Sequence, residues 1–215
     1  MPISGEYFLE LNSTIKTTNL LIFHQKQLIS SIDLNLIPTC LVLASSEKST
    51  SKKYKKSLVM QKFVLLGLES GLILIYSIEK AQLVLTLSGG HTNKVNDIKV
   101  INNTIYSAGS DGQIIAWDLL TGSLISKTKA QKSISKIAKS SNGKYLATAD
   151  FDIKLWDLSS MKCIKTFTGH ATLITELLFS MDDTIIVSSA DQDRYVSIWN
   201  VKSGSTNVGC TFKLT

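Results

Sequence analysis

Three tryptophans constrain this chain more than any other feature. Trp117, Trp156 and Trp199 lie 39 and 43 residues apart. Each closes a β-prone run that follows small residues and an aspartate: Ser107 to Asp111 before Trp117, Thr148 to Asp152 before Trp156, Ser188 to Asp193 before Trp199. Gly90-His91 and Gly169-His170 lie 79 residues apart, two such periods. Tyr76 and Phe23 continue the series upstream, and the wider gap of 53 between them holds a Lys-rich insert. A repeat of this length means that one supersecondary unit is copied. Each unit then buries its apolar face against the next.

Within a unit the pattern is β. Val95 to Val100, Thr104 to Ala108, Gln113 to Leu119 and Ser123 to Lys127 are short β-prone runs. Asn102-Asn103, Asp111-Gly112 and Thr121-Gly122 separate them. Gly tolerates positive φ, and Asn and Asp bond their own backbone, so these are turns. Ile, Val and Thr fill the apolar runs without a long 3.6-residue period, which disfavours helix. Four short strands per forty residues describe one blade of a β-propeller. The expected fold is therefore all-β, with about five blades in units near 1–35, 36–88, 89–129, 130–168 and 169–215.

Composition narrows the class. Hydrophobic residues are 44% and charged residues 19%, which excludes a disordered polar chain. No apolar run approaches a membrane span, and the N-terminus lacks the basic-then-apolar order of a secretory signal. Cys40, Cys163 and Cys210 form no CxxC pair and leave one odd, which suits a reducing compartment.

The repeated polar residues invite an enzymatic reading. His91, Ser107 and Asp111 look like a hydrolase triad. The same set recurs with its tryptophan as His170, Ser188 or Ser189, Asp193 and Trp199, whereas one active site is not normally copied blade by blade. A structural chain fits better. Indole has one N–H donor, a hydroxyl accepts it and donates onward, and imidazole relays to a carboxylate. Such a chain satisfies each buried polar group. Unit four has Ala130-Gln131 in place of Gly-His and a turn two residues shorter. It should lack the complete network and lean on apolar packing. The histidines at 24, 91 and 170 show no ligand spacing, and no phosphate loop is present, so no metal, cofactor or small-molecule substrate is expected.

The net charge is +6. Lys48, Lys52, Lys53, Lys55 and Lys56 form one basic stretch. Lys127, Lys129, Lys132, Lys136, Lys139 and Lys144 form another, with no acid among them. Residues 45–61 read as a mobile loop, because five Lys among Ser and Thr bury little apolar surface. The loop lysines Lys52, Lys53, Lys55 and Lys56, with Lys127, Lys129 and Lys132, are expected to form one patch for RNA phosphates.

Gly-His, about 26 residues, then Trp-Asp resembles the WD-repeat signature. Several stretches resemble one WD-repeat family more closely: Ser70 to Ser77, Leu87 to Asn96, Ile153 to Trp156, Phe167 to Thr172 and Ala190 to Arg194. That family is the U-three-associated protein five family of the small-subunit processome. Its members resemble this chain in the basic insert, the short turn of unit four and the Asp193-Arg194 pair. The resemblance implies a non-enzymatic scaffold in the nucleolus. It implies a role in pre-rRNA processing and 18S maturation with support of rRNA transcription. Its partners would be other processome WD-repeat subunits and pre-rRNA or the U3 ribonucleoprotein. It also implies a seven-bladed ring and a C-terminal helical domain, so the chain ending at Thr215 is expected to be part of a larger propeller. A closed five-bladed ring is the other arrangement the count allows. The functional alternative is a WD-repeat adaptor outside the nucleolus, such as a ligase substrate receptor.

Overall fold

Short runs of Ile, Leu, Val and Thr cut by Gly, Asn and Asp can only make short strands, and antiparallel hairpins join them. The computed structural model describes residues 7–13, 18–24, 27–34, 36–52, 55–192, 195–203 and 212–213. Among these residues no helix occurs. The strands form five sheets, each in chain order.

The first sheet holds β1 (Tyr7–Ser13), β2 (Thr18–His24) and β3 (Gln27–Leu34). The second holds β4 (Cys40–Lys52), β5 (Lys55–Gly67), β6 (Ile73–Ser77) and β7 (Gln82–Leu87). The third holds β8 (Val95–Ile101), β9 (Thr104–Gly109), β10 (Gln113–Asp118) and β11 (Leu124–Lys129). The fourth holds β12 (Lys136–Lys139), β13 (Tyr145–Ala149), β14 (Ile153–Asp157) and β15 (Lys162–Phe167). The fifth holds β16 (Ile174–Phe179), β17 (Ile185–Ala190), β18 (Tyr195–Asn200) and β19 (Phe212–Lys213).

Alternation along each strand sends side chains to both faces, so each sheet feeds two apolar layers. Leu20, Ile22, Ile32 and Leu34 of the first sheet pack on Val64, Leu66 and Leu74 of the second. Phe63, Leu65, Ile73 and Ile75 on the other face of that sheet meet Ile98, Ile105, Ile115 and Trp117 of the third. Ile101, Ala108 and Ile114 meet Ile137, Leu146 and Trp156. Ala147, Ile153, Leu155 and Phe167 meet Leu177, Ile186 and Trp199. Each tryptophan thus faces the preceding sheet. The first strands β4, β8, β12 and β16 lie side by side in sequence. This serial stacking about inner strands is a β-propeller.

A repeated joint ties one sheet to the next. The N–H of Val95, Ile134 and Ile174, at the start of successive inner strands, donates to the carbonyl of Leu68, Gly109 and Asp150 in the preceding sheet at 3.0, 3.1 and 2.8 Å. The carbonyls of the same three residues accept from Thr39 Oγ1, Asn96 Nδ2 and Ser135 Oγ at 2.5, 2.7 and 2.6 Å. Asp97 adds a carboxylate link. Its oxygens accept from the backbone N–H of Ile98 and of Ile137 across the joint, and from Lys99 Nζ at 2.8 Å.

The structure corrects the reading of residues 45–61 as a loop. β4 and β5 pair without a break from Cys40↔Gly67 to Lys52↔Lys55. β6 joins only at Phe63 to Gly67, so beyond Lys62 the two strands run on as a ribbon. The hairpin is already nucleated inside the sheet, and each further pair adds ladder bonds without a new loop to close. Residues 53 and 54 lie outside the described residues.

A second irregularity recurs. The pairing of the last two strands shifts by one residue at Ile22/Phe23, Ile75/Tyr76, Ala116/Trp117 and Leu155/Trp156. Phe23, Tyr76, Trp117 and Trp156 therefore each sit beside a bulge that places one extra residue in the outer strand. The turn before that strand also repeats, with a left-handed residue at Ala81 (φ 49), Gly122 (φ 72) and Met161 (φ 51). Only Gly adopts that conformation without strain. Ala81→Gly should therefore raise stability by about 0.5 kcal/mol, after the larger unfolded-state entropy of Gly is offset. Urea denaturation of the two proteins checks this, and a loss of stability would contradict it.

Candidate functional site

The repeated polar residues of the third sheet come together. Ser107 sits on β9 opposite Ile115 of β10, and Trp117 lies two residues further along β10. Trp117 Nε1 donates to Ser107 Oγ at 3.0 Å, and Ser107 Oγ lies 2.8 Å from His91 Nε2. His91 Nδ1 lies 3.0 Å from both oxygens of Asp111. A carboxylate only accepts, so Nδ1 carries the proton, Nε2 accepts, and the Ser107 hydroxyl donates to it. Asp111 also accepts from the backbone N–H of Thr92 and Gln113. Burial tends to raise its pKa, but these donors and His91 outweigh it and hold the carboxyl below its ordinary range. Gly90 must be glycine because a Cβ there would overlap the Trp117 indole.

This constellation cannot present a nucleophile. Ser107 has no exposed surface, and His91 and Trp117 are buried beside it. It locks the Gly-His connection to the tight turn and to the third strand of its own sheet.

The fifth sheet repeats the arrangement in part. Trp199 Nε1 donates to Ser188 Oγ at 2.8 Å, and His170 Nε2 lies 2.7 Å from the same hydroxyl. Asp193 lies outside the described residues. In the fourth sheet Trp156 Nε1 donates to Thr148 Oγ1 at 3.0 Å, and Thr148 is wholly buried. Gln131, at the histidine position, leaves its buried Nε2 without a partner.

The six described lysines of the expected patch fall at two ends of the fold rather than in one place. Lys127 Nζ donates to the carbonyls of Gly89 and Gly90 at 2.8 and 3.0 Å. Lys129 Nζ donates to the carbonyl of Asp111 at 2.5 Å. Both ammonium groups are thus hydrogen-bonded to neighbouring backbone carbonyls. Lys132 is exposed and close enough to Asp150 to offset part of the upward pull that burial and Asp152 exert on that carboxyl. These three lie at the end of the third sheet that carries the β9–β10 turn. The ribbon leaves from the opposite end, where Ser46 Oγ bonds Asn103 Oδ1 of the β8–β9 turn at 2.9 Å. Lys52, Lys55 and Lys56 therefore lie at the other rim, on the ribbon, while Lys53 lies outside the described residues.

Sequence reasoning missed several residues. Thr39, Asn96 and Ser135 make the same joint with three different side chains, so no single motif marks them. Asp118 was legible. It accepts from the backbone N–H of Thr121 and Leu120, and Asp157 bonds Ser160 in the same way. An Asp or Asn three residues before a Ser or Thr, directly after each tryptophan, was the signal.

The WD domain, G-beta repeat, matches residues 81–118, 122–157 and 161–200, just over half of the chain. The chain belongs to the WD40-repeat family. Human WD repeat-containing protein 43 is 30% identical to this WD40-repeat chain over 203 residues, covering 82% of this chain and 30% of the relative. U3 small nucleolar RNA-associated protein 5 of Saccharomyces cerevisiae is 22% identical over 148 residues, covering 66% of this chain and 23% of the relative. The chain thus spans less than a third of the length of these curated relatives. Among solved structures, a chain of the mitotic checkpoint complex superposes with a TM-score of 0.69 at 20% identity. That match covers 88% of this WD40-repeat chain and 56% of the other, and shows the shared propeller fold.

Two outcomes follow from the network. Trp117→Phe strands the Ser107 lone pair and should cost about 1–3 kcal/mol, read as a lower thermal midpoint; an unchanged midpoint would mean the network adds no stability. Burial is the main cause that holds the His91 pKa below its ordinary 6.5, against the opposing pull of Asp111. Between the folded and unfolded values the unfolded chain binds more protons, so stability rises with pH there. His91 should contribute fully above pH 6.5 and progressively less below it. Denaturation midpoints across that window check this, and His91→Asn should flatten the dependence.

Proposed function

We propose that the chain is a non-enzymatic scaffold subunit of the nucleolar machinery that assembles the small ribosomal subunit. It would act in pre-rRNA processing and 18S maturation and support rRNA transcription. The observation that carries this reading is the reach of the alignment with human WD repeat-containing protein 43. It covers 82% of the chain, well beyond the repeats matched within residues 81–200, so the likeness is not that of the generic repeat alone. The yeast relative, whose name ties it to U3 small nucleolar RNA, points the same way.

The geometry supports a scaffold. The one Ser-His-Asp set that the described residues complete is closed to substrate, because Ser107 is fully buried. On this reading the blades are the units 1–35, 36–88, 89–129, 130–168 and 169–215, each of which contains one sheet. Partners would be other WD-repeat subunits and a U3 or pre-rRNA ribonucleoprotein, met in the nucleolus.

A tagged chain expressed in cells tests the proposal. It should concentrate in nucleoli and co-purify with U3 RNA and precursors of 18S rRNA. A diffuse signal with ubiquitin-ligase subunits in the purified material would instead favour the adaptor role.

A further inference from the structure

Among the described residues, the ribbon formed by the ends of β4 and β5 has no counterpart in the other sheets. Those two strands have 13 residues each, against 4 to 7 for β8, β12 and β16 and their partners β9, β13 and β17. It lies outside the matched repeats, which begin at residue 81. Beyond Ser46, which still bonds Asn103 of the next sheet, six pairs run from Glu47↔Met60 to Lys52↔Lys55. At about 3.4 Å per residue this is a reach of roughly 20 Å.

Register divides the ribbon into two unlike sides. Directly paired residues share a side, and successive pairs alternate. One side holds the positions Lys48↔Val59, Thr50↔Ser57 and Lys52↔Lys55. The other holds Glu47↔Met60, Ser49↔Leu58 and Ser51↔Lys56. All of the ribbon's described lysine positions except Lys56 therefore fall on one side, together with a hydroxyl pair and no acid. The neighbouring lysines Lys55 and Lys56 are assigned to opposite sides.

We propose that the side bearing Lys48, Thr50, Lys52, Lys55 and Ser57 is a contact strip for the phosphate backbone of single-stranded RNA. Successive positions on that side are about 7 Å apart, so cationic positions alternate with hydroxyl donors along a line. An extended strand offers phosphates at regular intervals along a line, and Lys, Ser and Thr are the side chains that contact phosphate without reading base sequence. Double-stranded RNA is the poorer fit, because its deep, narrow major groove does not admit a two-stranded ribbon. That the polyanion is RNA rests on the function proposed above. The one-sided strip rests on the register alone.

The test is binding of the full chain to a fluorescent oligouridylate across a salt series, with thermal midpoints to show that each variant is folded. Each phosphate contact on a single strand contributes about 0.7 to the slope of log affinity against log salt. Replacing Lys48, Lys52 and Lys55 together by Ser should flatten that slope by about 2. Lys55→Ser alone should flatten it by about 0.7, and Lys56→Ser should leave it unchanged. Equal losses from Lys55→Ser and Lys56→Ser would overturn the one-sided strip in favour of an undirected basic tip. No binding by the parent, or an unchanged slope in the triple variant, would overturn RNA contact here and assign the ribbon to another partner. These outcomes are separable from the scaffold proposal. Nucleolar recovery of the triple variant with an unchanged slope would sink the strip and leave the scaffold role standing.

Discussion

The structure hangs on the joint at the start of each inner strand. A four-stranded sheet covers only its own width, and both of its faces are apolar. Stacking alone would let neighbouring sheets slide, since apolar packing has no direction. A residue at the start of the inner strand, or leading into it, removes that freedom. At Val95, Ile134 and Ile174 the N–H reaches back to one turn while the carbonyl is held by a side chain of the sheet before it. Register between sheets is thereby fixed by directional bonds, and the apolar layers pack around a decided geometry. Asp97 strengthens the joint at Ile134, its buried charge balanced by Lys99 and by two backbone donors.

How much of this was legible depended on whether a residue type repeats. The tryptophans, the Ser or Thr beneath them and the Gly-His pairs recur in step, so blades and polar relays could be drawn from sequence. Gly90 could be read as a motif residue, but its cause, contact with the Trp117 ring, needed the structure. The joint was not legible, because Thr39, Asn96 and Ser135 share a hydrogen-bond role and no shape. The ribbon was misread because composition speaks to burial, while a hairpin is extended by backbone pairing that Lys, Ser and Thr do not prevent. The described lysines of the expected patch lie apart for a related reason. Sequence counts charges but does not say which ammonium groups are already bonded, and Lys127 and Lys129 close over carbonyls of their own sheet's connections.

The fourth sheet shows what the relay contributes by what replaces it. Without a histidine, the tryptophan keeps a hydroxyl partner in Thr148, and Ala130 joins the apolar layer. Gln131 meanwhile carries a buried amide nitrogen with no acceptor. The sheet remains in place because its packing and its joint do not depend on the relay. The relay secures connections within a sheet, and the joint secures one sheet to the next.

The extra residue in the outer strands has a consequence beyond local twist. An outer strand carries unpaired backbone donors and acceptors, and here it also exposes aliphatic side chains at Leu83, Leu124, Ile125 and Ile164. A straight strand of that kind would recruit any passing edge and zip two proteins together. The bulges at Val84, Ile125 and Ile164 put the outer strand out of step with any regular partner strand. A propeller edged in this way can meet other sheet proteins through chosen surfaces without polymerising along its rim.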